Sequence, residues 1–233
     1  LLTEELHDFL AAAVRARRNF VIAGGTGSGK TTLLRALINE VPPTERIVTI
    51  EDAYELGLDH FEHLHPDHDA LQSRPANIEG QGEITLADLT RMALRMDPDR
   101  VIVGEVRGAE AFPMLLAMSQ GNNGSMCTMH ADSTRSVFPK LAAYVSMAST
   151  GLPIETVNLL LASALHFVIY ISNANNSRQV ASVREVVDSD GSNIISNEIF
   201  TANSDGELVR AFPLRGSTRE LLAKFGYDDR SVS

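Results

Sequence analysis

Residues 19–32 decide the fold, and they read Asn19-Phe20-Val21-Ile22-Ala23-Gly24-Gly25-Thr26-Gly27-Ser28-Gly29-Lys30-Thr31-Thr32. The first five residues form an apolar run that predicts a short buried strand, and the glycines predict a tight loop. From Lys30 to Asn39 the pattern predicts a helix, which Pro42 and Pro43 stop. Gly24 to Thr31 therefore matches G-x-x-x-x-G-K-[ST] between a strand and a helix, the context in which this motif binds phosphate.

This loop predicts a site for ATP and Mg²⁺. Glycines let backbone N–H groups turn inward around a β-phosphate, and the following helix N-terminus adds positive potential. Lys30 is expected to reach the β- and γ-phosphates, and the Thr31 hydroxyl to bind Mg²⁺. The residues predicted to hold the nucleotide are Gly25, Thr26, Gly27, Ser28, Gly29, Lys30, Thr31 and Thr32. The alternative is a chance match in a glycine-rich turn, which the flanking strand and helix disfavour.

Two further predicted strands end in acidic residues. Val101–Val103 leads through Gly104 to Glu105, as in a Walker B element, and Glu105 is predicted to act on Mg²⁺ or on the attacking water. The run from residue 46 to residue 50 leads to Glu51. Because ligands of parallel sheets bind at the carboxyl ends of strands, Glu51 and Glu105 are both expected to reach the γ-phosphate. The alternatives are a solvated Glu105 and a Glu51 that caps a helix.

The remaining pattern predicts one α/β domain of the RecA-like P-loop type. Strands and helices alternate up to Ile171, which indicates a mostly parallel sheet covered on both faces. After Ser172, Asp-Gly turns separate three strands, which predicts an antiparallel meander before a last helix. We therefore expect a core over residues 1–172 and an extension of the same domain over residues 173–233. Residues 52–69 are predicted to be irregular, and Pro139 is expected to kink a helix over residues 133–149.

Composition limits the function classes. The chain has 233 residues and a net charge of −10, and an acidic surface disfavours non-specific binding to nucleic acid. Cys127 is the one cysteine, so no internal disulfide can form. No apolar run reaches the roughly 20 residues that a membrane-spanning helix needs, and direct membrane insertion is not expected.

Three later segments complete an ordered set of motifs. Glu51-Asp52 is followed by Gly104-Glu105-Val106-Arg107-Gly108, and then by Gly124-Ser125-Met126-Cys127-Thr128-Met129-His130-Ala131. The set resembles the Asp box, Walker B element and His box of the secretion ATPase superfamily, the motors of type II and type IV secretion and of type IV pili. Residues 74–80 and 93–100 are closer still to the Tad/Flp pilus assembly branch of CpaF-like ATPases. The resemblance covers roughly residues 5–172.

The resemblance implies roles for individual residues. Glu51 would orient water, Glu105 would act on Mg²⁺ or as the general base, and His130 would sense the γ-phosphate. Arg91 and Arg95, which lie i, i+4 on one helix face, would supply charge to the phosphates within a subunit or across an interface. Arg107 would take part in the same site or brace Glu105 or the Asp-box loop. The alternatives are a core histidine at position 130 and solvated arginines at positions 91 and 95.

The resemblance also implies partners and a location. The expected activity is ATP hydrolysis by a ring of six subunits on the cytoplasmic side of the cell membrane, working against an inner-membrane platform protein, with no nucleic acid bound. Two departures bear on this expectation: Asn122 follows Gly121 where the family has Gly-His, and we expect the family's N-terminal domain to lie outside these 233 residues. Two alternatives stay open, a ring ATPase that translocates nucleic acid and a scaffold that binds nucleotide without hydrolysing it.

Overall fold

The computed structural model describes residues 2–174 and 177–229. Its seven α-helices are α1 (Glu4–Arg15), α2 (Lys30–Ile38), α3 (Leu86–Ala93), α4 (Ala111–Ser119), α5 (Val137–Met147), α6 (Ile154–Ala164) and α7 (Gly216–Ala223). Its nine strands are β1 (Phe20–Gly24), β2 (Ile47–Glu51), β3 (His68–Gln72), β4 (Arg100–Val106), β5 (Met126–Met129), β6 (Phe167–Ala174), β7 (Ser177–Ser189), β8 (Ile194–Ala202) and β9 (Leu208–Arg210). A 3-10 turn covers Leu58–Phe61.

All nine strands form one sheet, in the order β3-β2-β4-β5-β1-β6-β7-β8-β9. The first six are parallel to one another, and β6 to β9 pair antiparallel. This arrangement confirms the predicted RecA-like α/β fold with an antiparallel C-terminal extension. The parallel order brings the carboxyl ends of β1, β2, β4 and β5 to one edge of the sheet, where the loop after β1 also lies.

Helices cover both faces of the sheet, as the apolar strands require. In β1, Phe20 and Ile22 pack into the core that α1, α2 and α7 close, while Val21 and Ala23 face the core under α3 to α6. This alternation has the period of two that a strand imposes on its side chains. Because every residue of β1 is buried, the loop that follows starts from a rigid base.

Helix ends follow their sequence signals. Thr3 caps α1 and accepts a hydrogen bond from the backbone N–H of Leu6 at 3.3 Å. Thr85 and Asp88 form the predicted capping box at the start of α3. Within the described residues, no helix is both long enough and apolar enough to cross a bilayer.

Two sequence-based expectations about secondary structure are wrong. Residues 52–69 are not wholly irregular, because they contain the 3-10 turn and the start of β3, a half-buried strand at the sheet edge. Pro139 does not kink a helix, because α5 begins at Val137 and places Pro139 in its first turn. A proline there removes no intrahelical hydrogen bond, since the first backbone N–H groups have no partner in the helix.

A buried ion pair joins the opposite, amino edge of the sheet. The Arg100 side chain is fully buried at the start of β4 and donates to both carboxylate oxygens of Glu45, at 2.7 Å and 3.1 Å. Arg100 also donates to the carbonyl of Gly124 at 3.3 Å. These bonds tie β4 to the segment before β2 and to the turn before β5.

Candidate functional site

The loop between β1 and α2 has the backbone shape that a phosphate cradle requires. Gly27 and Gly29 have φ of +69° and +100°, in the left-handed region that other residues rarely adopt. At Gly24 an added Cβ would lie 2.5 Å from Ser28 Oγ and 2.7 Å from the carbonyl oxygen of Ile171. The glycines therefore set the course of the loop. Within the described part of the chain, the buried Ser28 hydroxyl has no hydrogen-bond partner.

The side chain of Lys30 bends back into this loop. Its Nζ donates to the carbonyl oxygens of Gly24 at 3.1 Å and Gly25 at 2.9 Å. Burial lowers the pKa of Lys30, and the carboxylates of Glu105 and Glu55 oppose that shift. The ammonium group is thus held against the loop, on the side where two acidic side chains also lie.

A cavity of about 320 Å³ opens beside the loop, at the carboxyl ends of β2, β4 and β5. Its lining residues are Thr26, Gly27, Lys30, Thr31, Glu51, Asp52, Ala53, Glu55, Gly104, Glu105, Arg107, Thr128 and His130. Seven predicted site residues therefore converge here with Lys30: Thr26, Gly27, Thr31, Glu51, Glu105, Arg107 and His130. The cavity holds the carboxylates of Glu51, Asp52, Glu55 and Glu105, and the loop at its rim favours phosphate.

Glu105 and His130 form a pair across neighbouring strands. His130 Nε2 lies 2.9 Å from Glu105 Oε1, and both side chains are partly exposed. Thr128, two residues before His130, donates its hydroxyl proton to the carbonyl of Gly104 at 2.6 Å. The end of β5 is therefore fastened to the end of β4, which holds the histidine against the acid. His130 is not a core histidine satisfied by backbone groups.

Glu51 is buried at the end of β2, with only 4% of its surface exposed. Its Oε1 accepts hydrogen bonds from the backbone N–H groups of Glu55 at 3.0 Å and Leu56 at 2.9 Å. Burial raises the pKa of Glu51, although these two hydrogen bonds oppose the shift. Glu51 thus orders the following loop and lines the cavity at the same time, so its predicted role on water stays a prediction.

Arg107 braces the loop after β2. Its guanidinium forms an ion pair with Asp52, and Asp52 also accepts a hydrogen bond from the Ser73 hydroxyl at 2.7 Å. Of the arrangements expected for Arg107, the structure shows a contact with the Asp-box loop. This contact links the end of β4 to the end of β2 across the mouth of the cavity.

Arg91 and Arg95 do not line the cavity. Both are exposed on or just after α3, and Arg91 makes an ion pair with Asp88 at 3.4 Å. Because α3 ends at Ala93, Arg95 lies beyond the helix on which the i, i+4 spacing was predicted. The contribution of both arginines to phosphate binding stays a prediction.

Glu55 is a cavity residue that the sequence analysis did not select. Its Oε2 accepts a hydrogen bond from the Thr31 hydroxyl at 3.4 Å. Hydroxyl and carboxylate oxygens are the ligands that Mg²⁺ prefers, and Mg²⁺ usually binds one or two carboxylates together with substrate phosphates. Throughout residues 2–174 and 177–229, no three His, Cys, Asp or Glu side chains form a metal centre by themselves. The oxygens of Thr31, Glu55 and Glu105 therefore fit an ion that arrives with a nucleotide.

Comparisons with known proteins agree with this geometry. A family model described as type II/IV secretion system protein matches residues 1–201. VirB11, a type IV secretion system protein of Brucella suis, is 39% identical over 168 residues, which are 71% of this chain and 45% of VirB11. A Mycobacterium tuberculosis protein with the provisional name of conjugal transfer protein is 41% identical over 170 residues, which are 73% of this chain and 46% of its own length. The chain spans about half the length of the relatives it matches.

Solved structures show the same likeness. The crystal structure of the VirB11 ATPase from Brucella suis, in complex with sulphate, has a TM-score of 0.67 and 36% sequence identity, over 76% of this chain and 51% of that chain. The pilus retraction motor PilT with bound ADP has a TM-score of 0.54 over 77% of this chain and 49% of that one, and at 22% identity it supports the fold alone. Since the family model covers most of the sequence, this chain belongs to the type II/IV secretion system protein family.

Proposed function

We propose that this chain is the ATP-hydrolysing motor domain of a protein secretion or pilus assembly machine. The observation that carries the proposal is the convergence of Lys30, Glu51, Glu105 and His130 on one cavity beside a glycine loop. Family membership supports it, as does the name of one similar structure, the VirB11 ATPase.

The arrangement suits hydrolysis of the terminal phosphate of ATP. The loop and Lys30 would bind the phosphates, and the negative charge that spreads over the γ-phosphate oxygens would lie near Lys30. Glu51 and Glu105, at the ends of neighbouring strands, would orient the attacking water and accept its proton. Bound Mg²⁺, held through Thr31 and Glu105, would neutralise phosphate charge.

His130 would report the state of the site. Its ring faces Glu105 at 2.9 Å, so a change in charge at the γ-phosphate would act directly on this pair. His130 directly follows β5, which lies between β4 and β1, so a shift of this residue would act near the centre of the sheet. Coupling of hydrolysis to movement would begin at this contact.

The motor would work as a ring of six subunits at the inner face of the cell membrane, against a platform protein in that membrane. Arg91 and Arg95 are exposed and lie outside this chain's own cavity, which suits a role at a neighbouring subunit's phosphates. The segments over residues 74–80 and 93–100 favour the Tad/Flp branch of CpaF-like motors.

Phosphate release from Mg-ATP over a range of protein concentrations tests the proposal. We expect specific activity to rise with concentration, because a neighbour completes the site, and to be lost in Lys30→Ala but kept in Lys140→Ala on α5. Activity that appears only with added DNA or RNA would indicate a nucleic-acid translocase instead. ATP binding through Lys30 with no phosphate release at any concentration would indicate a nucleotide-gated scaffold.

A further inference from the structure

Strand β4 departs from regular pairing near its carboxyl end. Val103 pairs with Cys127 of β5, but the next residue of β4 that pairs with β5 is Val106. Two residues of β4, Gly104 and Glu105, therefore lie between these pairs, where β5 has one residue. This arrangement is a β-bulge, a feature that often lies beside active sites and re-aims a side chain.

The bulge sets the direction of the Glu105 side chain. In a regular strand Glu105 would face the same core as Val101 and Val103, under α3 to α6. Val106 faces that core instead, because the bulge shifts the alternation by one residue. Glu105 is thereby left partly exposed in the cavity beside the glycine loop, 2.9 Å from His130.

Glu110 holds the chain directly after the bulge. It is buried, and its Oε1 accepts hydrogen bonds from the backbone N–H groups of Arg107 at 2.5 Å and Gly108 at 2.8 Å. Glu110 immediately precedes α4, yet among the described residues its carboxylate accepts no capping hydrogen bond from that helix. The carboxylate therefore fixes the end of β4 and does not serve as a cap for α4.

Glu110 acts from outside the cavity beside the glycine loop. It is not among the described residues that line that cavity, and it lines an adjoining groove together with Asp52 and Arg107. The turn that it fixes begins two residues after Glu105, so a change in this turn shifts the bulge and the carboxylate of Glu105 with it. A displacement of about 1 Å in a catalytic group costs about a hundredfold in rate.

We infer that Glu110 is a positioning residue for ATP hydrolysis, because its two hydrogen bonds hold the bulge that directs Glu105 into the cavity. The inference rests on the proposed function, since its effect is measured in turnover. The reach of the side chain matters more than its charge. Glutamine offers one oxygen to both N–H groups at the same distance, whereas aspartate is too short by one methylene group to accept both hydrogen bonds.

Steady-state phosphate release and equilibrium binding of Mg-ATP test the inference. Glu110→Ala should lower kcat about tenfold to a hundredfold and change ATP affinity by less than about threefold, because Lys30 and the glycine loop are untouched. Glu110→Asp should lower kcat about tenfold, whereas Glu110→Gln should keep at least about a third of it.

Glu185→Ala is the matched control. Glu185, on β7, is also buried and accepts a hydrogen bond from a backbone N–H, that of Arg215 at 2.9 Å. Its loss should lower the thermal unfolding temperature and leave kcat within about threefold of the parent value.

The outcomes separate the two proposals. If the parent chain releases no phosphate from Mg-ATP, the proposed function fails and the positioning role fails with it. If the parent is active and both Glu110→Ala and Glu110→Asp keep its kcat, only the positioning role is overturned. Parallel losses of kcat and ATP affinity in Glu110→Ala, or an equal loss of kcat in Glu185→Ala, would show a general effect on the fold and would also overturn it. If Glu110→Ala does not fold, the other two variants decide: equal kcat values in Glu110→Asp and Glu110→Gln overturn the role, and a loss confined to Glu110→Asp supports it.

Discussion

Replacing Glu51 by glutamine should abolish turnover and leave the protein at least as stable as before. In the structure Glu51 Oε1 accepts two backbone hydrogen bonds, and the amide oxygen of glutamine can accept both. Burial raises the pKa of Glu51, so the ionised form is disfavoured in the folded protein, and a neutral side chain removes that cost. We expect a gain in the free energy of unfolding of up to about 1 kcal/mol at neutral pH. Loss of a group that orients and deprotonates water should lower kcat by about 10²–10⁴.

The stability gain of Glu51→Gln depends on pH, and the direction of the pKa shift fixes its sign. A carboxyl whose pKa is raised in the folded state binds a proton more readily there than in the unfolded chain, so stability falls as pH rises between the two pKa values. The gain from Glu51→Gln should therefore be present near pH 7 and absent below the usual pKa of a glutamate, about 4.3. Urea unfolding of both proteins across this range measures it.

Phosphate release measured on the same samples separates the two roles of Glu51. Glu220→Gln, an exposed position on α7, is the matched control and should change neither stability nor turnover. If Glu51→Gln loses more than about 1 kcal/mol of stability and keeps its turnover, Glu51 only caps the loop, and its assignment to the chemistry is wrong.

Three further predictions follow from the contacts. Glu45→Gln leaves the fully buried Arg100 without its counter-charge and should lower the free energy of unfolding in urea by about 2–4 kcal/mol. Glu40→Gln breaks an exposed ion pair and should lower it by less than about 1 kcal/mol. Equal losses would show that burial does not make the Glu45–Arg100 pair more important for stability. Gly24→Ala places a Cβ 2.5 Å from a loop hydroxyl and 2.7 Å from a backbone carbonyl, so nucleotide affinity should fall at least about tenfold; unchanged affinity in a binding titration would show that the loop adjusts freely. Arg107→Gln should raise KM more than it lowers kcat, because Arg107 holds the Asp-box loop from the cavity rim, and a loss confined to kcat in steady-state kinetics would assign it to the chemistry instead.

The sequence predicted the parallel core well because its strands are buried on both faces. β1, β2, β4 and β5 are short apolar runs, which cannot remain in solvent and have few alternatives. β3 was missed because its sequence, His68-Asp69-Ala70-Leu71-Gln72, is mostly polar. The strand lies at the edge of the sheet, where it pairs with β2. Pairing with a preformed neighbour, which no local pattern encodes, makes it a strand.

The sequence predicted those site residues whose position follows from the end of a predicted strand. Glu51 and Glu105 lie in the last residues of buried strands, and Lys30 follows the loop after β1, so a parallel sheet brings all three to one edge. Glu55 was missed because it lies four residues beyond β2, and only the turn that Glu51 holds returns it to Thr31. Helix spacing predicted a shared face for Arg91 and Arg95, but α3 ends at Ala93, and no local pattern shows which way either side chain points.

The most direct test of the account compares ATP binding with phosphate release in Glu105→Gln. The account predicts that this variant binds ATP about as tightly as the parent chain, since Lys30 and the glycine loop are untouched, and that its phosphate release falls at least about a hundredfold. Turnover at the parent rate would contradict the claim that the acid at the end of β4 drives hydrolysis in this cavity.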